Sequence, residues 1–184
     1  MTDLYNHDYF QEALRREIKW GKAKEDRHLA LLMIELDSPK RYNDVYDRRQ
    51  GDIALLSLAR ALEACVEQWL GTVARYGGDE FVILPGLDRS GALRAAHEVR
   101  DGVRELTAAE LSRHGLPGVT VSVGVAVFPA DAKDAAQLIE AADRAMYVAK
   151  RRAGDQVETF SHIGDSSSFP SRPLVTARER EGKR

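Results

Sequence analysis

The sequence predicts an α/β domain in which helices pack against one mixed or antiparallel sheet. In several long segments apolar residues recur at every third or fourth position, as they do along one face of an amphipathic helix. Other segments are short, apolar and rich in β-branched residues, which is typical of strands. The two kinds of segment alternate as far as residue 160. Hydrophobic residues make up 43% of the 184 positions, so the chain can bury a sizeable core.

The amphipathic segments predict the helices. The first of them has an apolar residue at every fourth position, which gives a single apolar stripe. A shorter helix is expected to begin at Pro39, because proline is tolerated in a first turn, with Asp37 or Ser38 as its N-cap. The long helices are expected at residues 9–20, 51–69, 90–106 and 134–152.

The apolar, β-branched segments predict the strands. Residues 28–36 are dense in Leu, Met and Ile, which indicates a strand buried on both faces. Gly77 and Gly78, followed by two acids, separate two short strands and predict a hairpin turn. The strands are expected at residues 28–36, 73–76, 81–84, 119–128 and 157–160.

The last part of the chain differs in composition from the rest. Residues 161–184 contain three consecutive serines, two prolines and a strongly charged end. Such a segment carries too little apolar surface to order itself, which is typical of a mobile tail. We therefore expect a folded domain over residues 1–160 and a mobile C-terminal tail over residues 161–184.

Composition and charge exclude several classes of protein. The single cysteine, Cys65, rules out an internal disulfide and a cysteine metal cluster, and it fits a reducing compartment. With 27 Lys and Arg against 29 Asp and Glu, the net charge is -2, so no overall basic field draws the protein to nucleic acid or a membrane. The apolar runs are too short to span a bilayer, and no signal-peptide pattern opens the chain. We expect a cytoplasmic protein.

Two acidic clusters stand at the ends of predicted strands, Glu35-Leu36-Asp37 and Asp79-Glu80. If the buried strand and the hairpin are neighbours, their carboxylates meet at one edge of the sheet and form an oxygen-rich site suited to Mg²⁺. The two glycines before the second cluster would let a bulky phosphate or base approach the turn. The helix that begins at Pro39, with Lys40, would offer a phosphate cradle at the same edge. Taken singly, each acid is better explained as a solvated loop residue.

Residues 75–81, Arg-Tyr-Gly-Gly-Asp-Glu-Phe, contain the signature of the GGDEF-domain diguanylate cyclases. The chain resembles that family over nearly all of its folded length. Five blocks in the family's order and spacing are a stronger signal than five letters alone. The other four blocks are residues 4–10, 36–52, 122–126 and 142–150.

The resemblance implies an adenylyl-cyclase-like palm, with a central, mostly antiparallel sheet of about five strands flanked by helices. It also implies a reaction that joins two GTP molecules into cyclic di-GMP with loss of two pyrophosphates. Glu35 and Asp79 would hold Mg²⁺, or Mn²⁺, with the carbonyl of Leu36 as a further ligand. Glu80 would be a metal ligand or the base that helps to deprotonate the attacking 3′-hydroxyl.

The resemblance further assigns contacts with the substrate. Lys40, counted with Asp79 and Glu80 among the catalytic residues, and Lys150 would bind the triphosphate. Asn43 and Asp52 would read guanine, because a carboxylate can accept both N–H groups of guanine's Watson–Crick edge and adenine offers no such pair. One domain holds one GTP, so a two-fold homodimer is the expected working state. The expected substrate-contacting residues are Lys40, Asn43, Asp52, Leu55, Gly77, Gly78 and Lys150.

Several positions depart from the family's pattern. Glu35 stands where Asp is usual, which moves the carboxylate by one methylene at a site where Mg²⁺ demands regular geometry. Pro39 replaces a Phe and removes one backbone N–H from the phosphate cradle. Asp155 occupies the place of a phosphate-binding Arg, for which Arg151 or Arg152 would substitute. These departures imply weakened activity; the alternative is a degenerate domain that acts as a nucleotide-binding or protein-interaction regulatory module.

Two further expectations concern regulation. The family's product-inhibition motif, Arg-x-x-Asp, would fall at residues 68–71, which read Gln-Trp-Leu-Gly, so we expect no product inhibition at this position. The first part of the family's opening motif is also missing. Because family members commonly carry a sensor domain before that motif, we expect control by an upstream sensor domain or protein, or a stand-alone protein that dimerises in another way.

Overall fold

The computed structural model describes residues 2, 4–23, 27–69 and 71–163, and of residue 68 only the backbone. Each amphipathic segment of these ranges is a helix and each β-branched segment a strand. The helices are α1 (His7–Ala23), α2 (Pro39–Tyr46), α3 (Arg48–Val66), α4 (Arg89–Leu111), α5 (Ala135–Arg151) and α6 (Phe160–Ile163). The strands are β1 (Leu29–Leu36), β2 (Thr72–Gly77), β3 (Glu80–Leu84), β4 (Val121–Phe128) and β5 (Val157–Thr159).

The described strands form one five-stranded sheet in the order β2-β3-β1-β4-β5. β1 lies at its centre and pairs antiparallel with β3 on one side and with β4 on the other. β2 and β3 form the predicted antiparallel hairpin, and β5 is parallel to β4. The sheet is therefore mostly antiparallel and flanked by helices, which confirms the predicted fold class.

The central strand β1 is buried on both faces, as its composition predicts. Side chains of a strand point alternately to its two faces. Leu32 and Ile34 pack in the apolar layer that α3 and α4 form on one side of the sheet. Leu31 and Met33 pack in the second layer, which α1 and α5 form on the other side. Two apolar layers thus enclose the strand that ends at Glu35 and Leu36.

The predicted elements exist, but some of their ends and one cap differ from expectation. The third helix begins at Arg48, before the predicted residue 51, because the Asp47 carboxylate caps it by accepting from the Gln50 N–H at 3.0 Å. The last strand ends at Thr159, since Phe160 already begins α6. Of the two residues predicted as the N-cap of α2, Ser38 holds the position, but in a left-handed conformation and without a side-chain capping bond.

Two sequence-based expectations lie wholly or partly beyond the described residues. The tail predicted to be mobile, residues 161–184, lies outside them from residue 164 onward, while residues 161–163 complete α6. In the segment where the product-inhibition motif would fall, Leu70 and the side chain of Gln68 also lie outside. Within the described ranges, no helix combines the length and the apolar character that a membrane crossing needs.

β4 and α5 approach each other closely at Gly124. A Cβ at this position would lie 2.1 Å from the backbone nitrogen of Met146 and 2.2 Å from the carbonyl oxygen of Ala142. Because both atoms belong to the backbone of α5, they cannot swing aside as a side chain could. The bare glycine therefore lets α5, which carries Lys150, pack directly on the sheet.

We predict that Gly124→Ala lowers the free energy of unfolding by roughly 3 kcal/mol, because the added methyl group forces α5 away from the sheet. Urea denaturation measures this change. Gly86→Ala is the matched control: a Cβ there meets no atom within 4 Å, and we expect a change within about 0.5 kcal/mol. Equal effects of the two substitutions would show that the close approach at Gly124 does not constrain the fold.

Candidate functional site

The pairing of β1 with β3 brings the two acidic clusters to one edge of the sheet. Glu35 lies opposite Glu80 in the antiparallel register. One residue further, the backbone N–H of Leu36 donates to the carbonyl oxygen of Asp79 at 3.1 Å. The strand and the hairpin are thus neighbours, as the sequence analysis required for a shared site.

The carboxylates at this edge are held in different surroundings. Glu35 and Glu80 are buried, with 7% and 2% of their surfaces exposed, whereas Asp79 is half-buried in the hairpin turn. The turn itself is tied to β2, because the Arg75 guanidinium donates to the carbonyl oxygen of Gly78 from Nε at 2.9 Å and from Nη2 at 2.6 Å. Gly78 has a φ of 56°, a left-handed conformation that glycine adopts without strain.

Lys150, in the last turn of α5, reaches into the same edge. Its ammonium group forms an ion pair with Oε1 of Glu35. The same nitrogen donates to the carbonyl oxygen of Leu36 at 3.2 Å. Lys150 therefore contacts both the side chain and the main-chain oxygen that the resemblance assigns to a metal ion.

The donor set at this edge fits a hard divalent cation. The Glu35 carboxylate and the Leu36 carbonyl offer oxygen atoms, and these already converge on one cationic group, the Lys150 ammonium. Among the described residues, no three His, Cys, Asp or Glu side chains form a group that could hold a metal ion by themselves. Mg²⁺ does not need such a group, because it usually takes one or two protein carboxylates together with water and substrate phosphates.

A second group of predicted residues lies on α2 and α3. Asn43, on α2, places its carboxamide over the first turn of α3: a Cβ on Gly51 would lie only 1.8 Å from Oδ1 of Asn43. Asp52 follows Gly51 and is exposed, and Leu55 lies half-buried three residues further along the helix. Residues three apart on a helix are neighbours, so Asp52 and Leu55 share a face beside the Asn43 carboxamide.

α2 is fixed to the neighbouring loop by one of its tyrosines. The hydroxyl group of Tyr42 donates to the carbonyl oxygen of Pro117 at 3.2 Å. Burial, and to a lesser extent the nearby Tyr46, raise the pKa of Tyr42 above its usual value, so the hydroxyl keeps its proton as a donor. Lys40 is exposed in the first turn of the same helix. In the chain it lies between Asn43 and Glu35, which with Asp79 and Glu80 forms what we call the acidic edge of the sheet.

The junction that follows β1 is held by Asp37. Its carboxylate accepts from the hydroxyl groups of Thr120 at 2.8 Å and of Ser122 at 2.7 Å. It also accepts from the backbone N–H of Asp155 at 2.7 Å. Asp37 therefore ties β1 to β4 and to the turn after α5, which is why it does not cap α2 as expected.

The structure shows what the Asp155 carboxylate contacts after α5 and which of Arg151 and Arg152 lies at the site. The Asp155 carboxylate is paired with Arg104 of α4 at 3.0 Å, so its negative charge is balanced away from the acidic edge. Arg152 forms an ion pair with Glu158, whereas Arg151 lines a cavity of about 310 Å³ together with Glu35, Tyr147 and Lys150. Of the two arginines, only Arg151 borders the site.

Sequence reasoning missed the positions of Tyr147 and Asp37 in this region. Tyr147 lies one helical turn before Lys150 and Arg151, and that spacing alone indicates a shared face of α5. Asp37 gave no such signal, because its partners lie far along the chain, at the start of β4 and just before it, and after α5. Only the tertiary fold brings those groups together.

Sheet order, flanking helices and an acidic edge beside a glycine hairpin define a cyclase-like palm. The family model described as the GGDEF domain of diguanylate cyclases matches residues 1–156. The chain therefore belongs to the GGDEF domain family.

Named relatives agree with this assignment. Diguanylate cyclase A from Treponema denticola is 33% identical over 163 residues, which cover 85% of this chain and 42% of that protein. The chain thus spans less than half the length of this curated relative.

Solved structures of the family superpose closely. The GGDEF domain of TpbB (YfiN) from Pseudomonas aeruginosa gives a TM-score of 0.79 at 30% identity, covering 86% of this chain and 98% of that one. The coiled coil and GGDEF domain of DgcB from Caulobacter crescentus, solved in complex with c-di-GMP, gives a TM-score of 0.73 at 25% identity over 86% and 82% of the two chains. A coiled-coil region thus accompanies the GGDEF domain in at least one relative.

Proposed function

We propose that this domain is a diguanylate cyclase, which joins two GTP molecules into cyclic di-GMP and releases two pyrophosphates. The observation that carries the proposal is the register of β1 and β3, because it sets Glu35 opposite Glu80 with Asp79 beside them. Lys150 and Arg151 border the same edge. Acidic groups for a cation and basic groups for a triphosphate therefore adjoin one another.

Each group at the edge has a role in this reaction. Glu35, Asp79 and the Leu36 carbonyl would hold Mg²⁺ or Mn²⁺. The bound ion would polarise the α-phosphate and neutralise charge on the attacking and leaving oxygens. Glu80 would add a ligand or accept the proton of the 3′-hydroxyl. Lys40, Lys150 and Arg151 would neutralise the triphosphate.

Asn43 on α2, with Asp52 and Leu55 on α3, would select guanine. The Asp52 carboxylate can accept from both N–H groups of guanine's Watson–Crick edge, and Asn43 would add a further hydrogen bond, with Leu55 packing alongside. Adenine would leave the carboxylate unpaired. Where the bound base covers this exposed carboxylate, leaving it unpaired would cost about 1–3 kcal/mol, which corresponds to roughly ten- to hundredfold discrimination.

The reaction also requires a second copy of the domain. One site binds one GTP, and the two nucleotides must face each other to close the ring, so we propose a two-fold homodimer as the working state. A coiled coil or a sensor before the domain would bring the two copies together. The cytoplasm is the compartment that supplies GTP, so we propose that the domain works there, without product inhibition at residues 68–71.

A degenerate regulatory module is the second candidate, favoured by Glu35 and Pro39. The charge of Asp155 supports it less than the sequence suggested, because Arg104 balances that carboxylate. Pro39 removes a donor from the first turn of α2, although Lys40 remains exposed beside it. Such a module would bind GTP without turning it over.

We predict that the protein forms cyclic di-GMP from GTP with Mg²⁺ or Mn²⁺, measured by chromatography. Glu80→Gln should lower the rate by about a hundredfold or more, because it removes a negative charge from the reacting centre. Glu105→Gln, on the exposed face of α4, is the matched control and should leave the rate unchanged. Retained GTP binding without product at high protein concentration would favour the regulatory module.

We predict that Gly51→Ala weakens binding of a non-hydrolysable GTP analogue by roughly fivefold, because the new methyl group displaces the Asn43 carboxamide and so costs about 1 kcal/mol of hydrogen bonding. Isothermal titration calorimetry measures the affinity. The double variant with Asn43→Ala should bind no more weakly than Asn43→Ala alone, since both changes remove the same contact. Additive losses would contradict this explanation.

We predict that Arg151→Gln weakens binding of the same analogue by roughly tenfold, because a charge-assisted contact with phosphate is lost. Arg152→Gln, one residue away, removes the same charge from a side chain that is paired with Glu158 and should change the affinity less than about twofold. The reverse order of the two effects would reassign the phosphate contact to Arg152.

A further inference from the structure

Lys150 occupies an unusual position for a residue assigned to a phosphate. Its ammonium group contacts the Glu35 carboxylate and the Leu36 carbonyl oxygen at once. We call this pair of contacts the Lys150 bridge. Both oxygens belong to the proposed metal ligands, so the bridge places one positive charge where the ion would bind.

We propose that the Lys150 bridge holds the cation position closed in the nucleotide-free protein, and that the triphosphate opens it by drawing Lys150 away. The inference rests on the proposed function, because it requires the same edge to bind a metal ion and GTP. Lys150 then has two successive partners: Glu35 before the nucleotide binds and the triphosphate afterwards.

Burial of Glu35 explains why the bridge forms. The side chain of Glu35 is only 9% exposed, whereas that of Lys150 is 29% exposed. A buried carboxylate without a cation is costly, so it takes the nearest one that can reach it. Lys150 lies in the last turn of α5, and the ammonium group at the end of its long, flexible side chain supplies that cation.

Electrostatic repulsion makes a metal ion and the Lys150 ammonium compete for the oxygens of Glu35 and Leu36. A divalent cation and an ammonium group cannot share the same two oxygens, because like charges at this distance repel strongly in a partly buried site. A metal ion on its own must therefore break the bridge and leave Lys150 without its partner. The triphosphate offers several negative charges in its place, and the cavity that Arg151 and Tyr147 line beside Lys150 gives the side chain room to turn.

The bridge has a thermodynamic consequence. If the nucleotide releases the metal position, it tightens metal binding, and by reciprocity the metal tightens nucleotide binding by the same factor. Removal of the Lys150 ammonium should reduce this coupling, because the position is then open from the start. A lysine that served only as a phosphate contact would leave binding of the metal alone unchanged.

The test is binding of Mn²⁺ alone, measured by electron paramagnetic resonance on the full chain without nucleotide. Lys150→Met keeps an unbranched side chain only one atom shorter and removes its charge, and we expect Mn²⁺ to bind about tenfold more tightly than to the wild type. Arg152→Met is the matched control, because it removes the same charge from a side chain that is paired with Glu158. We expect it to change Mn²⁺ affinity less than about twofold.

The result that overturns the bridge is equal Mn²⁺ affinity in Lys150→Met and Arg152→Met, whether both are raised, unchanged or undetectable. Lys150→Gln is a second variant, read in the same way if Lys150→Met does not fold. The measurement is independent of catalysis. Tighter Mn²⁺ binding in a domain that makes no cyclic di-GMP would support the bridge and reject the enzyme, whereas product formation with unchanged Mn²⁺ affinity would do the opposite.

Discussion

The site depends on the antiparallel register of β1 and β3. Strand side chains alternate between faces, so a slip of one residue would carry Glu35 away from the side on which it meets its partners. The apolar residues of β1 prevent such a slip, because they alternate between two closed layers that have no room for a charge. Packing of the core therefore decides that Glu35 stands opposite Glu80.

Much of this arrangement could be predicted from the sequence, because its signals are local. The apolar run of β1 and the glycine turn before Asp79 indicate a central strand and a hairpin, whereas their pairing is a condition that the structure supplies. The partners of Lys150 and Asp155 could not be predicted in the same way. They depend on the turn after α5, where Ala153 and Asp155 have φ values of 88° and 51°, and an alanine gives no sequence signal for that conformation.

Asp37 connects that turn to the site. It accepts from the N–H of Asp155 and from the hydroxyl groups of Ser122 in β4 and of Thr120 just before it. Gly154 leaves the space that the carboxylate needs, since a Cβ there would lie 2.8 Å from it. The end of α5 is thus fixed relative to the last residues of β1. Lys150 can reach Leu36 because Asp37, the next residue, holds the turn that follows Lys150.

Two departures from the family pattern, Glu35 and Pro39, change the surroundings of the site. Glu35 is longer than the usual Asp by one methylene, and this longer side chain is the one that meets the Lys150 ammonium. Pro39 removes one first-turn N–H of α2, but such donors have no partner within the helix in any case, so the fold loses nothing and the cradle loses one contact. The edge still carries acidic groups, Glu35 and Glu80 with Asp79 beside them, next to basic groups, Lys150 and Arg151. Substitutions of this kind weaken the binding of ligands more readily than they remove the chemistry, which is why we place the enzyme before the regulatory module.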